Sequence, residues 1–174
     1  MLDWRGFELH PETPVGGLAL EQLFGSRRLA AMRDHLRTFA RHFGIEDMPG
    51  VDRLPNTRSA LALMELAREQ GRLDGCRSTA MEGFWREGLD LERERDLRTI
   101  ALRSGLDADA ALQAVSDPRY LQRVDALRDE ARRLGVTGIP TFFFGDGPPV
   151  VGCQPYDVLA RAARAAGATP RSLT

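Results

Sequence analysis

Gly135-Val136-Thr137-Gly138-Ile139-Pro140-Thr141-Phe142-Phe143-Phe144 is the stretch that decides the fold, because a proline stands at the entrance to a run that is otherwise typical of a buried strand. Proline has no N–H for a sheet ladder, so Pro140 is expected at the first residue of the strand, where its peptide bond can also be cis at modest cost. Residues 142–144 are apolar on both faces of the pleat, which predicts a strand buried between layers. Such a turn leaves backbone groups unpaired, and a peptide-like or thiol-bearing ligand could pair with them. By itself the motif is more typical of an ordinary turn than of a binding site.

Composition excludes several classes of protein. The chain has 174 residues with 24 basic and 25 acidic side chains, a formal net charge of −1, so no overall field would recruit nucleic acid or an anionic membrane. All 24 cations are arginine, and the absence of lysine excludes Schiff-base lysine enzymes and the lysine-dependent P-loop. No basic leader and no membrane-length apolar window is present, so we expect a soluble cytoplasmic protein whose partners are small molecules or proteins.

The cysteines and histidines give no metal or redox motif. Cys76 and Cys153 lie far apart in sequence, and we expect two free thiols that pack rather than react. His35 and His42 lie two turns apart on one predicted helix, which is too far for them to share a metal ion. No metal site is therefore predicted.

Helical periodicity dominates the middle of the chain. Residues 3–9 resemble a short strand with a bulge or a close backbone approach at Gly6, and a loop follows to Gly17. The pattern is then helical as far as Gly135, and the alternating charges of residues 92–95 indicate a solvated helix face. The first helix is predicted to carry the apolar residues Leu29, Met32, Leu36, Phe39 and Phe43. Predicted N-caps are Asn56, Asp74, Asp90 and Asp107, and a long helix should start at Ser116-Asp117-Pro118.

The chain ends in a strand, a second strand and a helix. The strand at residues 142–144 is followed by a hairpin-type connection, then by Val150-Val151 and by a last helix near Pro155. The whole order is strand, helices, strand, strand, helix. It indicates an α/β core interrupted by an all-helical insertion.

Four stretches, taken in order, resemble the DsbA family, in particular its FrnE-like branch and more distantly the 2-hydroxychromene-2-carboxylate isomerases and kappa-class glutathione transferases. They are Trp4-Arg5-Gly6-Phe7-Glu8-Leu9-His10-Pro11-Glu12, Pro55-Asn56-Thr57-Arg58-Ser59-Ala60, Gly135-Val136-Thr137-Gly138-Ile139-Pro140-Thr141 and Val151-Gly152-Cys153-Gln154-Pro155-Tyr156. The resemblance implies a thioredoxin-like fold with a helical insertion. Residues 1–17 and 136–174 would form an incomplete core, and residues 18–135 the insertion with its return helix.

The resemblance also implies a binding site. Pro140 would be the cis-proline beside the redox centre, with Ile139 offering its backbone to a substrate peptide or to glutathione and Thr141 belonging to the same site. Cys153 and Gln154 would lie near the loop that holds the γ-glutamyl end of glutathione in relatives. His10 and Glu12 could form an acid–base pair, but the wall of the pocket is the preferred interpretation. No cofactor is predicted other than a possible role for glutathione.

One feature of the family does not occur in the sequence. The family carries Cys-x-x-Cys, or in the isomerases a serine, at the start of the helix after its first strand, where the helix dipole lowers the pKa of the thiol. Met1 falls directly before what should be the second strand, so the first strand and first helix of the core are expected to be missing and no catalytic residue is identifiable. An open sheet edge should then be covered by a homodimer.

These observations predict a FrnE-type thiol–disulfide oxidoreductase that is inactive as it stands. Two alternatives stay open. One is a glutathione-dependent isomerase or transferase of the 2-hydroxychromene-2-carboxylate isomerase type. The other is a non-catalytic module for peptide binding or dimerisation.

Overall fold

The computed structural model describes residues 2–46 and 48–169, and the chain divides into two compact units, Met1–Arg128 and Asp129–Thr174. The boundary falls inside one long helix. In the described residues no helix is both long enough and apolar enough to cross a membrane. The predicted division into a core of residues 1–17 and 136–174 and an insertion of residues 18–135 stays a prediction.

The first unit is mainly helical. It contains the antiparallel pair β1 and β2, with Leu18 opposite Leu54, and a core of buried aliphatic side chains around Leu63 and Ile100. Most predicted helices are present, and Asp107 caps its helix by accepting a bond from the backbone of Ala110. The elements are β1 (Leu18–Ala19), α1 (Leu20–Phe24), α2 (Ser26–Arg41), β2 (Arg53–Leu54), α3 (Arg58–Glu69), α4 (Leu73–Glu82), a π-helical turn (Gly83–Glu87), α5 (Glu94–Arg103), α6 (Ala108–Ala114) and α7 (Pro118–Arg133).

Two predicted caps are wrong. Asp74 lies within the first turn of α4, after the helix has begun at Leu73. Asp90 lies in the turn before α5, where its carboxylate accepts a bond from the backbone N–H of Glu92 at 2.9 Å. Aspartate favours both caps and turns because its short side chain bonds nearby N–H groups, so the residue type alone did not separate the two positions.

Residues 3–9 form no strand, which corrects the prediction made from their alternation. The segment runs along one face of α3, whose residues 58, 61 and 68 contact it in turn. Glu8 binds Arg58, Gly6 approaches Leu61 so closely that a Cβ would lie 2.7 Å from its side chain, and Arg68 binds the carbonyl of Trp4. The close approach predicted at Gly6 is confirmed. A strand needs a neighbouring strand for its backbone groups, whereas this segment is held by contacts with a helix.

The second unit contains the end of α7 and the elements β3 (Thr141–Phe142), β4 (Val150–Val151) and α8 (Tyr156–Ala165). The predicted antiparallel hairpin and last helix are confirmed, with Thr141 opposite Val151. The strand is shorter than predicted, and Phe143 is 44% exposed, so residues 142–144 are not buried between layers. An apolar run was therefore not a reliable sign of burial, because apolar side chains also contribute much of a protein's surface.

Candidate functional site

The hairpin of β3 and β4 fixes the backbone around Pro140. The Ile139–Pro140 peptide bond is cis, and the carbonyl oxygen of Pro140 accepts a bond from the N–H of Gly152 at 2.7 Å. The hydroxyl of Thr141 donates to the carbonyl oxygen of Gly138 at 2.6 Å. The structure therefore brings the predicted residues at 139–141 directly beside the turn that follows β4.

One edge of β3 is open in the part of the chain that the structure describes, because β3 pairs there with β4 alone. The bond between Gly152 and Pro140 makes Thr141 and Val151 a non-hydrogen-bonded pair of the antiparallel ladder. In such a pair the N–H and C=O of both residues point away from the partner strand. Thr141 thus directs its backbone donor and acceptor to the open edge, where an extended peptide could pair with them.

Cys153 and Gln154 lie in the turn between β4 and α8. Gly152 has a φ of 84°, a left-handed conformation that favours glycine and turns the chain, and the side-chain amide of Gln154 donates to the carbonyl of Val151 at 2.8 Å. The thiol of Cys153 is free and exposed. The expectation that this cysteine packs is wrong, because the turn carries it outward before the helix begins.

Cys76 has the opposite environment. It is buried in α4, and burial raises the pKa of its thiol to about 11, although a hydrogen bond with Ser104 acts in the other direction. A thiol with that pKa stays protonated at neutral pH and is a poor nucleophile. The predicted packing role of this cysteine is confirmed.

His10 and Glu12 are brought together on an exposed loop, with Nδ1 of His10 3.2 Å from a carboxylate oxygen of Glu12. The pKa of Glu12 is lowered, first by its own backbone N–H and then by His10. Whether this loop forms the wall of a pocket stays a prediction. In residues 2–46 and 48–169 no group of three or more His, Cys, Asp or Glu side chains could hold a metal ion.

A carboxylate that the sequence did not single out fixes the same loop. Glu92 accepts bonds from the backbone N–H groups of Gly16 at 2.7 Å and Asn56 at 2.9 Å. Asn56 in turn donates to the carbonyl of Thr13 and accepts a bond from the N–H of Arg58, the first residue of α3, so the predicted cap lies one residue before the observed N-cap, Thr57. The prediction of a merely solvated helix face is wrong for Glu92. Glu92 belongs to a stretch of alternating charges that is typical of an exposed helix, and its hydrogen-bond partners lie 36 and 76 residues away in the sequence.

A second polar cluster anchors the segment before the loop. Glu8 is buried and accepts bonds from Arg58 at 3.0 Å and Arg128 at 2.9 Å, while Arg58 also binds Asp125 through two bonds of 2.9 Å. The bonds from Arg58 hold the pKa of Asp125 below its usual value. Nothing in the local sequence indicated this cluster, because its members come from three separate segments.

Comparison with known proteins supports the fold and the family. Residues 1–164 match the DSBA-like thioredoxin domain family. A probable DsbA oxidoreductase from Streptomyces coelicolor has a similar structure, with a TM-score of 0.81 and 27% identity over 98% of this chain and 77% of that one. A 2-hydroxychromene-2-carboxylate isomerase structure has a TM-score of 0.62 at 19% identity, covering 95% of this chain and 79% of that one, and indicates the fold alone.

A match in sequence concerns the same isomerase class. A 2-hydroxychromene-2-carboxylate isomerase from Sphingobium xenophagum is 32% identical over 80 residues, which are 46% of this chain and 41% of that protein. The match therefore spans about two fifths of the relative's length. Together the comparisons confirm the predicted thioredoxin-like α/β fold with a helical insertion.

Proposed function

The chain belongs to the DSBA-like thioredoxin domain family, and from that premise we propose that it serves thiol–disulfide exchange of the FrnE type. Its own part is to bind the substrate peptide along β3. The open edge at Thr141 is the observation that carries this proposal, because its backbone N–H and C=O point away from β4. Ile139 and Pro140 lead into that edge, and Cys153 and Gln154 follow the neighbouring strand.

The exchange reaction needs an attacking thiolate. The thiolate displaces one sulfur of a substrate disulfide, which leaves as a thiolate, and a mixed disulfide forms; a second thiolate then releases the substrate in its reduced form. The sequence contains no Cys-x-x-Cys pair. Cys76 is buried and protonated at neutral pH, so Cys153 carries the accessible thiol in the described residues. We therefore propose that these 174 residues bind substrate but do not turn it over.

The binding role is testable with a pair of proline substitutions. Thr141→Pro removes the N–H at the open edge of β3, and Val151→Pro removes the equivalent N–H on the outer side of β4; neither N–H takes part in a β3–β4 bond. A cysteine-containing model peptide, titrated by calorimetry, should bind the Thr141→Pro variant about tenfold more weakly, because one backbone hydrogen bond is lost. The Val151→Pro variant should bind as the parent does. Equal losses in both variants would contradict binding at this edge.

Turnover is tested separately with the insulin-reduction assay. The expected result is no reduction above the rate with dithiothreitol alone. Reduction at the rates of ordinary thioredoxin-like proteins would contradict the proposed inactivity. We also propose that the protein is cytoplasmic and that, in the absence of peptide, a homodimer covers the open edge, so that peptide binding and dimerisation compete. Light scattering that finds a monomer in the absence of peptide would exclude the dimer.

A glutathione-dependent isomerase or transferase is the second candidate, supported by the 80-residue match to the Sphingobium xenophagum enzyme. In that case reduced glutathione should bind at Ile139–Thr141 more tightly than the cysteine-containing peptide does. Binding should persist in Cys153→Ser, since no covalent bond is needed. Binding of neither ligand by a tight dimer would favour the non-catalytic dimerisation module instead.

A further inference from the structure

The apolar stripe of α2 is only partly buried in the fold. Leu29 is buried, and Leu36 is partly buried. Met32 and Phe39 on α2, and Phe43 in the turn that follows the helix, remain 43%, 41% and 45% exposed. The rings of Phe39 and Phe43 lie 5.2 Å apart, and Met32 lies two helical turns before Phe39 on the same side of the helix. We call this exposed strip of Met32, Phe39 and Phe43 the α2 edge.

A row of cationic or cation-capable side chains borders the α2 edge. Arg28, His35 and His42 are exposed and follow one another at intervals of seven residues. On a helix this spacing places them along the same side as Met32 and Phe39. Arg28 makes no ion pair within the described part of the chain and instead lies over the ring of Phe24, 5.5 Å from its centre.

The charge of the whole helix has the same sign. Ser26–Arg41 contains five arginines and a single acidic residue, Asp34, whereas the complete chain has a net charge of −1. Asp34 binds Arg37, which the helical periodicity places away from the α2 edge. The acidic residue of the helix therefore does not neutralise the row formed by Arg28, His35 and His42.

The spacing of the apolar residues along α2 indicates which kind of element can pack against them. Leu29, Met32, Leu36, Phe39 and Phe43 alternate intervals of three and four residues, which is the pattern that receives another α-helix in knobs-into-holes packing. In that arrangement Arg28, His35 and His42 take the flanking positions where charge selects the partner. A second copy of α2 does not fit. In an antiparallel pair the row of Arg28, His35 and His42 would face the same row of the other copy, and in a parallel pair it would face Arg33.

We propose that the α2 edge docks an amphipathic α-helix of another protein, one whose apolar face is bordered by acidic side chains. The apolar edge supplies the contact, Arg28 selects for opposite charge, and the two histidines beside it can donate hydrogen bonds to acidic side chains. Because the exposed area is small, the complex is transient, with a dissociation constant in the micromolar range. This docking is independent of peptide binding at β3.

The test uses two synthetic helical peptides of about 21 residues, or three heptads, with leucine at the a and d positions. One peptide has glutamate and the other lysine at all e and g positions, so neither pairs with itself. Fluorescence anisotropy with labelled peptides measures binding to the full chain. The acidic peptide should bind at least about tenfold more tightly than the basic one, and more weakly as salt is raised.

Two substitutions that change the net charge by the same amount locate the site. Arg28→Glu should weaken binding of the acidic peptide about fivefold and strengthen binding of the basic one, because one flanking attraction becomes a repulsion. Arg41→Glu changes the net charge equally on the opposite side of the helix and should leave both affinities within about twofold. Circular dichroism verifies that both variants are folded, as their exposed positions predict.

Several results would overturn the proposal. Equal effects of Arg28→Glu and Arg41→Glu would mean that the peptide responds to net charge alone. Equal binding of both peptides would mean that the α2 edge has no charge preference. Binding to vesicles of phosphatidylcholine and phosphatidylglycerol but not to the acidic peptide would assign the surface to membranes. Self-association that Phe39→Gln abolishes would assign it to a second copy.

Discussion

Replacing Arg58 by methionine should destabilise the first unit by about 2 kcal/mol. Met keeps the apolar stem of the side chain and removes the three hydrogen bonds of the guanidinium, one to Glu8 and two to Asp125. Asp125 is 40% exposed, so water replaces much of what it loses. Glu8 is 5% exposed and, among the described residues, keeps only Arg128 as a cationic donor, so most of the cost arises from leaving this buried carboxylate half satisfied.

Urea unfolding followed by tryptophan fluorescence measures the change, since both tryptophans, Trp4 and Trp85, belong to the unit Met1–Arg128. Arg98→Met is the matched control. Arg98 pairs with the exposed Asp109 at 2.9 Å, and its loss should cost less than about 0.5 kcal/mol. If Arg58→Met were no more destabilising than Arg98→Met, the reasoning about buried carboxylates in this cluster would be wrong.

The effect of Arg58→Met should also depend on pH. The hydrogen bonds from Arg58 hold the pKa of Asp125 below its usual value in the folded protein. A carboxylate with a depressed folded pKa contributes stability that is present above its unfolded pKa of about 3.9 and is lost as the pH falls through the folded value. The difference between parent and variant should therefore be largest near neutral pH and shrink below about pH 4. A difference that grew in acid would contradict this assignment.

Three further outcomes are expected. Gly17→Ala should lower the free energy of unfolding in urea by about 2 kcal/mol more than Gly16→Ala does. Both glycines have a positive φ, but only at Gly17 would a Cβ lie against backbone, 2.5 Å from the carbonyl oxygen of Leu54. Equal losses in the two variants would contradict the close contact. Glu92→Ala should cost about 1–3 kcal/mol by releasing two backbone N–H groups, and an unchanged midpoint would show that Glu92 is solvated after all. N-Ethylmaleimide and mass spectrometry should find only Cys153 labelled in the native protein and Cys76 as well in urea, whereas native labelling of Cys76 would refute its burial.

Local sequence predicted the helices well, because their signals are local. The apolar stripe of α3, the cap at Asp107 and the start at Pro118 each depend on residues within a few positions of one another. The hairpin was predictable for the same reason, since the prolines and glycines at 145–149 separate two short apolar runs.

The errors concern residues whose partners are distant. Residues 3–9 alternate as a strand does, but the side chains of α3 that hold them lie 50 or more positions further along the chain. Glu92 and Cys153 were likewise assigned from their neighbours, whereas the backbone N–H groups of Gly16 and Asn56 bind the first and a turn at Gly152 exposes the second. Residue type and spacing do not encode such long-range placement, so these positions required the structure.

The open edge at Thr141 was predictable only in part. The sequence placed Pro140 at the start of a strand and indicated unpaired backbone groups beside it. It did not say which residue carries them, because that depends on the register between β3 and β4. The pairing of Thr141 with Val151 supplies this information and turns a general expectation into a single-residue test.

Amide chemical-shift mapping with a cysteine-containing peptide tests the proposed binding site most directly. In ¹⁵N–¹H spectra we expect the largest changes at Thr141 and Ile139 and smaller changes at Cys153. In the Thr141→Pro variant, which has no amide proton at 141, the changes at Ile139 and Cys153 should need about tenfold more peptide. Changes confined to α8 or to the first unit, or no change at millimolar peptide, would contradict substrate binding along β3.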